Sequence, residues 1–117
     1  PYTAYSATKS YMKDNKEVLE KFTRALYKAQ MWCKDATDKE IAEAIQPYFE
    51  DNSIDELVTV AKQYRKIGAW CENPYFEEES LNNLMKVMET AGELEKEAPY
   101  DKIVDTSIAQ DVIDENK

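Results

Sequence analysis

The apolar residues between Leu19 and Cys33 recur at spacings of three and four, which is the spacing of one face of an α-helix. This pattern predicts a long helix that buries a single stripe and ends at about Lys34. Asn15 is placed to cap its amino end. The predicted stripe consists of Leu19, Phe22, Ala25, Leu26, Ala29, Trp32 and Cys33.

A second, shorter helix is predicted to begin at Thr37, with Asp38 and Glu40 in its first turn, where carboxylates favour the positive end of the helix dipole. Pro47 is expected to end it, because an internal proline removes a backbone donor and clashes with the preceding turn. Its predicted inner face is Ile41, Ala44 and Ile45.

The third and fourth predicted helices each end at one of the two glycines of the chain. Ser53 opens the third helix with Glu56 three residues on, which is a capping box, and Gly68 ends it. Gly92 ends the fourth. The predicted inner faces are Ile54, Leu57, Val58, Ala61 and Tyr64 for the third helix, and Leu81, Leu84, Met85, Met88 and Ala91 for the fourth.

The last apolar segment, Ile103 to Ile113, predicts a final helix capped by Asp105 or Thr106, with Val104, Ile108 and Val112 on one side. At the other end, Tyr2 to Ser6 alternates and is β-prone, which predicts a possible short strand. The fold class is therefore predicted to be all-α, with about five helices and a possible N-terminal strand.

The charge and the missing histidine narrow the possible functions. The 117 residues carry a formal charge of −9, and we find no basic patch, so no nucleic-acid partner is expected. With no histidine in the sequence, most hydrolase templates and histidine-based zinc motifs fail. A calcium loop at Asp51, Ser53 and Asp55 fails because Glu56 replaces its glycine and Lys62 its final glutamate. No catalytic residue, cofactor or metal is predicted.

Two further features of the sequence leave alternatives open. Cys33 and Cys71 are interpreted as a free, buried pair, and a disulfide between them is the alternative. The aromatic residues at the predicted helix ends are interpreted as packing, and a ligand pocket is the alternative. These aromatics are Trp32, Tyr48, Phe49, Trp70, Tyr75 and Phe76.

Two long stretches resemble the C-terminal part of ABC-transporter substrate-binding proteins, in the branch of aliphatic-sulfonate, nitrate and thiamine-pyrimidine-precursor binders. The first, PYTAYSATKSYMKDNKEVLEKFTRALYKAQMW, is similar to the family's strand, short helix and long helix. The second, YRKIGAWCENPYFEEESLNNLMKVMETAGEL, is similar to its arginine, glycine, tryptophan and proline sequence before the penultimate helix, and APYDKIVDTSIAQDVI completes the match.

The resemblance implies a non-catalytic solute-binding component of an ABC importer, with a two-lobed α/β periplasmic-binding-protein fold. Residues 1–117 would be its single C-terminal helical region, an expectation that agrees with a sequence that starts at Pro1 without methionine. The implied partners are a membrane permease and a small solute. The implied location is extracytoplasmic, with a lipoprotein anchor in the full-length protein. Tyr2, Thr3 and Tyr5 are the positions carried over as ligand contacts.

Two other functions remain as alternatives. One is a free-standing helical module whose apolar grooves take a partner helix. The other is an enzyme related to pyrimidine-precursor synthases, which the absence of histidine opposes. A fragment of a larger protein would also expose apolar faces, so self-association is expected.

Overall fold

A computed structural model describes residues 3–116, and the chain is all-helical over that range. The helices are α1 Lys9–Asp14, α2 Lys16–Asp35, α3 Asp38–Ile45, α4 Ile54–Lys66, α5 Glu78–Thr90, α6 Tyr100–Ile103 and α7 Ser107–Asp114, with a 3₁₀ turn at Gln46–Tyr48 directly after α3. The all-α prediction is confirmed. Residues 3–6 form no strand, and Tyr2, where the possible strand was expected to begin, lies outside the described residues.

The chain divides into two compact units, one formed by residues 25–73 and the other by residues 3–24 and 74–116. In the first unit, α3 packs against α4. Its core is a cluster of Ala36, Ile41 and Ala61, against which the half-buried Cys33 and Trp70 pack. This small cluster therefore joins the end of α2 to both shorter helices.

Both predicted capping boxes are present. The Thr37 hydroxyl accepts from the Glu40 N–H at 3.2 Å, and the Glu40 carboxylate accepts from the Thr37 N–H at 2.7 Å. Ser53 and Glu56 repeat the arrangement at 3.3 and 2.8 Å. The backbone and hydroxyl donors of each box stabilise the charged carboxylate, so they lower the pKa of Glu40 and of Glu56.

These lowered pKa values predict how the free energy of unfolding depends on pH. A carboxyl group with a lower pKa in the folded chain stabilises it above the unfolded pKa of about 4.3, and that contribution is lost as the pH falls through the folded value. We expect the double variant Glu40→Gln, Glu56→Gln to lose less stability than the parent chain below that pH. The measurement is urea unfolding by circular dichroism at several pH values.

The matched control is Glu50→Gln, Glu93→Gln, which removes the same charge from two exposed positions outside the α-helices. It is expected to keep the acid dependence of the parent chain. If both double variants flatten the pH dependence equally, the capping boxes do not explain it.

The second unit has its core on α5 and α7, where Leu81, Met85, Ala109 and Val112 are buried. Arg24 Nη2, on α2, forms an ion pair with Glu115 Oε2 at 2.6 Å. The Tyr100 hydroxyl donates to the Phe76 carbonyl. These contacts attach the chain before α5 and the carboxyl end of the described chain to the rest of the unit.

The predicted final helix is confirmed with its cap, because α7 begins at Ser107 directly after Thr106, whereas the separate short helix α6 was not predicted. Val104 is extended. Asp105 Oδ1 accepts from the Ser107 N–H at 2.9 Å and from its hydroxyl at 2.6 Å. Aspartate side chains often bond to a backbone N–H two residues on, and here the bonds from Ser107 to Asp105 hold the first residue of α7.

Both glycines end helices as predicted. Gly68 and Gly92 have φ values of 66° and 76°, the left-handed conformation that glycine adopts most readily. The next residues close the ends, with Ala69 N–H donating to the Tyr64 carbonyl and Glu93 N–H to the Met88 carbonyl, each at 2.9 Å. This is the Schellman arrangement.

The predicted inner faces were only partly correct. No residue of α2 is buried, although the helix itself is confirmed. On α3, Ala44 was predicted to be buried but is exposed, and Ala42 is buried instead. On α4, Tyr64 was predicted to be buried but is 48% exposed. Asn15 precedes α2 as predicted, but its side-chain amide donates back to the Tyr11 carbonyl at 3.1 Å.

Candidate functional site

The three residues expected to contact a ligand are located at the start of the chain. Tyr2 lies outside the described residues, and Thr3 is exposed. Tyr5 is 76% exposed, and its ring meets the ring of Phe22 edge-on, with centroids 4.8 Å apart. The structure therefore places Tyr5 against α2. Its role as a ligand contact stays a prediction.

An exposed apolar stripe runs along α2, and we call it the α2 stripe. It consists of Val18, Phe22, Ala25, Ala29 and Trp32, spaced alternately by four and three residues. Val18 is 52% exposed, Phe22 42% and Trp32 46%. Because these residues lie on one continuous helix, they share one face. Small alanines lie between larger residues at the two ends, so a packing partner can approach the helix axis closely at the centre.

A second feature is a cleft of about 180 Å³ in the unit formed by residues 25–73, and we call it the Trp70 cleft. Trp70 follows the turn at Gly68, and its ring lies 5.6 Å from that of Tyr64. The α4 end and the segment after it thus form one wall, and the end of α2 forms the other. The lining residues are Gln30, Cys33, Lys34, Arg65, Gly68, Trp70, Cys71 and Glu72.

Arg65 fixes the geometry of this cleft. Its Nε donates to Asp38 Oδ1 at 2.8 Å, and its Nη2 donates to the Ala36 carbonyl at 2.7 Å. The guanidinium therefore ties α4 to the beginning of α3 and to the residue directly after α2. A cation at this position is favourable because the last carbonyls of a helix carry partial negative charge.

Two polar atoms on the cleft residues are buried without a hydrogen-bond partner among the described residues. They are the side-chain carbonyl of Gln30 and the indole N–H of Trp70. The other end of the Gln30 amide donates to the Asn73 carbonyl at 3.1 Å, which fixes its orientation. Buried polar groups are nearly always paired, so these two atoms are exceptions in a unit whose other described buried side chains are apolar.

Both cysteines of the chain line the Trp70 cleft, and both are free thiols. The interpretation as a free pair is therefore correct. The expected burial holds only in part, since Cys33 is half-buried and Cys71 is exposed. Cys71 follows α4 and lies outside any helix.

The aromatic residues predicted to pack behave differently from one another. Trp70 packs against the core cluster, as predicted. Tyr48 and Phe49 are 84% and 50% exposed, and Trp32 is exposed as well, so the packing interpretation was wrong for these three. The other two, Tyr75 and Phe76, are half-buried.

Neither a membrane span nor a metal site is found in residues 3–116. None of the helices there has both the length and the apolar character needed to cross a bilayer. The same range contains no cluster of three or more cysteine, aspartate or glutamate residues able to hold a metal ion.

Comparison with known proteins relates the chain to a binding protein. It is 36% identical over 115 residues to a Bacillus subtilis (strain 168) protein named "Putative binding protein YtlA". The alignment covers 98% of this chain but 34% of the relative, so the chain spans about a third of the relative's length. No protein-family model matches the chain. No solved structure matches it either.

Proposed function

We propose that the chain is the C-terminal helical region of the solute-binding component of an ABC importer. In this proposal the complete protein is not an enzyme: it captures a small solute between two α/β lobes and delivers it to a membrane permease. Two findings support the proposal. The sequence resembles the C-terminal part of this class of protein. A relative about three times longer carries the name "Putative binding protein YtlA".

The observation that carries the proposal is the exposed α2 stripe. A 20-residue amphipathic helix in a self-contained domain normally turns its apolar face into a core. On α2 the face formed by Val18, Phe22 and Trp32 is exposed. Contiguous exposed apolar surface marks a site of contact with another surface. In the complete protein, the α/β lobes would cover this stripe.

A free-standing helical interaction module is the second candidate, and the same stripe favours it. Spacings of four and three residues are those with which one helix packs against another. In that case the cover would be a helix of a different protein. The two candidates differ in whether the α2 stripe is covered within the same protein. An importer component would cover the stripe with its own lobes, whereas an interaction module would leave it exposed until a partner helix binds.

Several further features belong to the proposal. Thr3 and Tyr5, together with Tyr2, would contribute to the solute site from the start of the chain. The complete protein would be extracytoplasmic and held at the membrane by a lipid. Without its lobes, the chain alone would associate with other copies through the α2 stripe.

Solute binding by the complete protein tests this function. We expect its melting temperature to rise with some member of a panel of small anionic and heterocyclic solutes, because a ligand that binds only the folded state stabilises it by mass action. At a hundredfold excess over Kd the gain is about 2.7 kcal/mol. The measurement is a thermal-shift titration, followed by calorimetry on each active solute.

The matched control is the double variant Thr3→Ala, Tyr5→Ala in the complete protein. It is expected to lose affinity for the solute, and any change in the melting temperature without solute measures the lost contact between Tyr5 and Phe22. If no solute raises the melting temperature, and the complete protein binds a second protein through α2, the result contradicts the importer function and supports the interaction module.

A further inference from the structure

The two thiols of the chain are brought to one place by contacts on either side of them. Gln30 Nε2, on α2, donates to the Asn73 carbonyl at 3.1 Å, and Lys34 Nζ lies 3.7 Å from Glu72 Oε2. Cys33 lies between the two α2 residues, and Cys71 directly precedes Glu72. The segment after α4 thus runs beside the last turns of α2, and both thiols line the Trp70 cleft.

The two thiols differ in accessibility. Cys71 is exposed, so a small reagent in solution can reach it. Cys33 is half-buried, and burial raises the pKa of its thiol, an effect that the nearby Arg65 guanidinium partly opposes. Thiolates are the reactive form, and access governs which one reacts first. Cys71 is therefore the entry point for oxidation, and Cys33 is the less accessible thiol in the lining of the same cleft.

We propose that Cys33 and Cys71 form a redox-active pair that a low-molecular-weight disulfide, such as oxidised glutathione, converts into an intramolecular disulfide across the Trp70 cleft. The Cys71 thiolate attacks one sulfur of glutathione disulfide and releases one glutathione. The Cys33 thiolate then attacks the Cys71 sulfur of the mixed disulfide and releases the second glutathione. Two cysteine thiols are oxidised, one disulfide is reduced to two thiols, and the two protons end on the two glutathione molecules.

The bond would change the cleft and the stability of the unit that contains it. It would tie the segment after α4 to α2 and occupy the space between the two thiols. It would also close a loop of about 40 residues, which restricts the unfolded chain. For a domain of this size we expect the melting temperature to rise by about 5–15 °C on oxidation.

The test is a titration of the reduced, full 117-residue chain with oxidised glutathione, followed by alkylation of the remaining thiols and intact mass spectrometry. We expect both thiols to disappear together, with a mass lower by two hydrogen atoms and no bound glutathione. Peptide mapping is expected to join the peptides of Cys33 and Cys71. A product that carries two glutathione molecules, or a disulfide-linked dimer formed at low protein concentration, would overturn the proposal.

The variants Cys33→Ser and Cys71→Ser are the matched controls. Each retains one cysteine, so each is expected to stop at a mixed disulfide with glutathione. Cys71 alone is expected to react several-fold faster than Cys33 alone, because it is exposed. Equal rates would contradict the proposed order of attack. A crosslink that lowers the melting temperature would show that the native cleft does not accommodate the bond.

Discussion

Replacing Ile41 with alanine is expected to lower the free energy of unfolding by about 2–4 kcal/mol. Ile41 is 1% exposed and lies in the cluster that joins the end of α2 to α3 and α4. Truncation removes buried methyl groups and leaves a cavity in a core that contains few large side chains. Because a typical domain is stable by only 5–15 kcal/mol, the loss is a large part of the total. Urea unfolding followed by far-UV circular dichroism measures it.

Ile67→Ala is the matched control. The substitution is chemically identical and falls in the same unit, but Ile67 is 62% exposed at the end of α4. Its effect is expected to stay within about 0.5 kcal/mol. If the two variants lose similar stability, Ile41 does not have the central packing position that its burial indicates.

Replacing Trp32 with aspartate is expected to affect the isolated chain and the complete protein very differently. In the chain alone Trp32 is 46% exposed, and the expected loss is within about 1 kcal/mol. In the complete protein our proposal places this side chain against another lobe, where an unpaired charge would be costly. There we expect a loss of about 3 kcal/mol or more. Thermal and urea unfolding of both forms supply the comparison.

Met31→Asp is the control for that experiment, because Met31 is also 46% exposed and is the neighbouring residue on α2, about 100° around the helix from Trp32 and outside the stripe. It introduces the same charge. The complete protein is expected to tolerate Met31→Asp better than Trp32→Asp. Equal losses at the two positions would contradict the α2 stripe as the covered face. Tolerance of both would indicate that nothing in the complete protein covers α2.

The helices were predictable because their ends are encoded locally. The capping boxes at Thr37 and Ser53, and the left-handed turns at Gly68 and Gly92, depend on residues within one turn of the helix end. Such signals act in the same way whatever the rest of the chain does. The cap before α7, at Asp105 or Thr106, was predicted in the same way, but the four-residue α6 was not, because it is too short to show an apolar periodicity.

Burial was less predictable than helix position. A periodic apolar pattern shows that a helix has an apolar face, but it does not show what covers that face. The α2 residues were expected to be buried because the pattern is strong, and the structure leaves Phe22, Ala25, Ala29 and Trp32 exposed. The pattern identified the helix and its apolar face correctly, but the predicted burial of that face was wrong.

The Trp70 cleft was not predicted, although part of it was noticed. Gly68 was predicted to end a helix and Trp70 to pack, but the opposite wall comes from α2, more than thirty residues earlier in the sequence. No local pattern links Gln30 to Asn73 or Arg65 to Asp38. The ligand positions Thr3 and Tyr5 came from the resemblance alone, and neither has a local pattern of its own.

If α2 is covered in the longer protein, exposure in this chain is a poor guide to evolutionary freedom. Val18, Phe22 and Trp32 would then be under the selection that acts on interior residues, while equally accessible positions such as Met31 would drift as surface residues do. The alanines between them would be constrained in size, because a larger side chain would hold the neighbouring surface away from the helix.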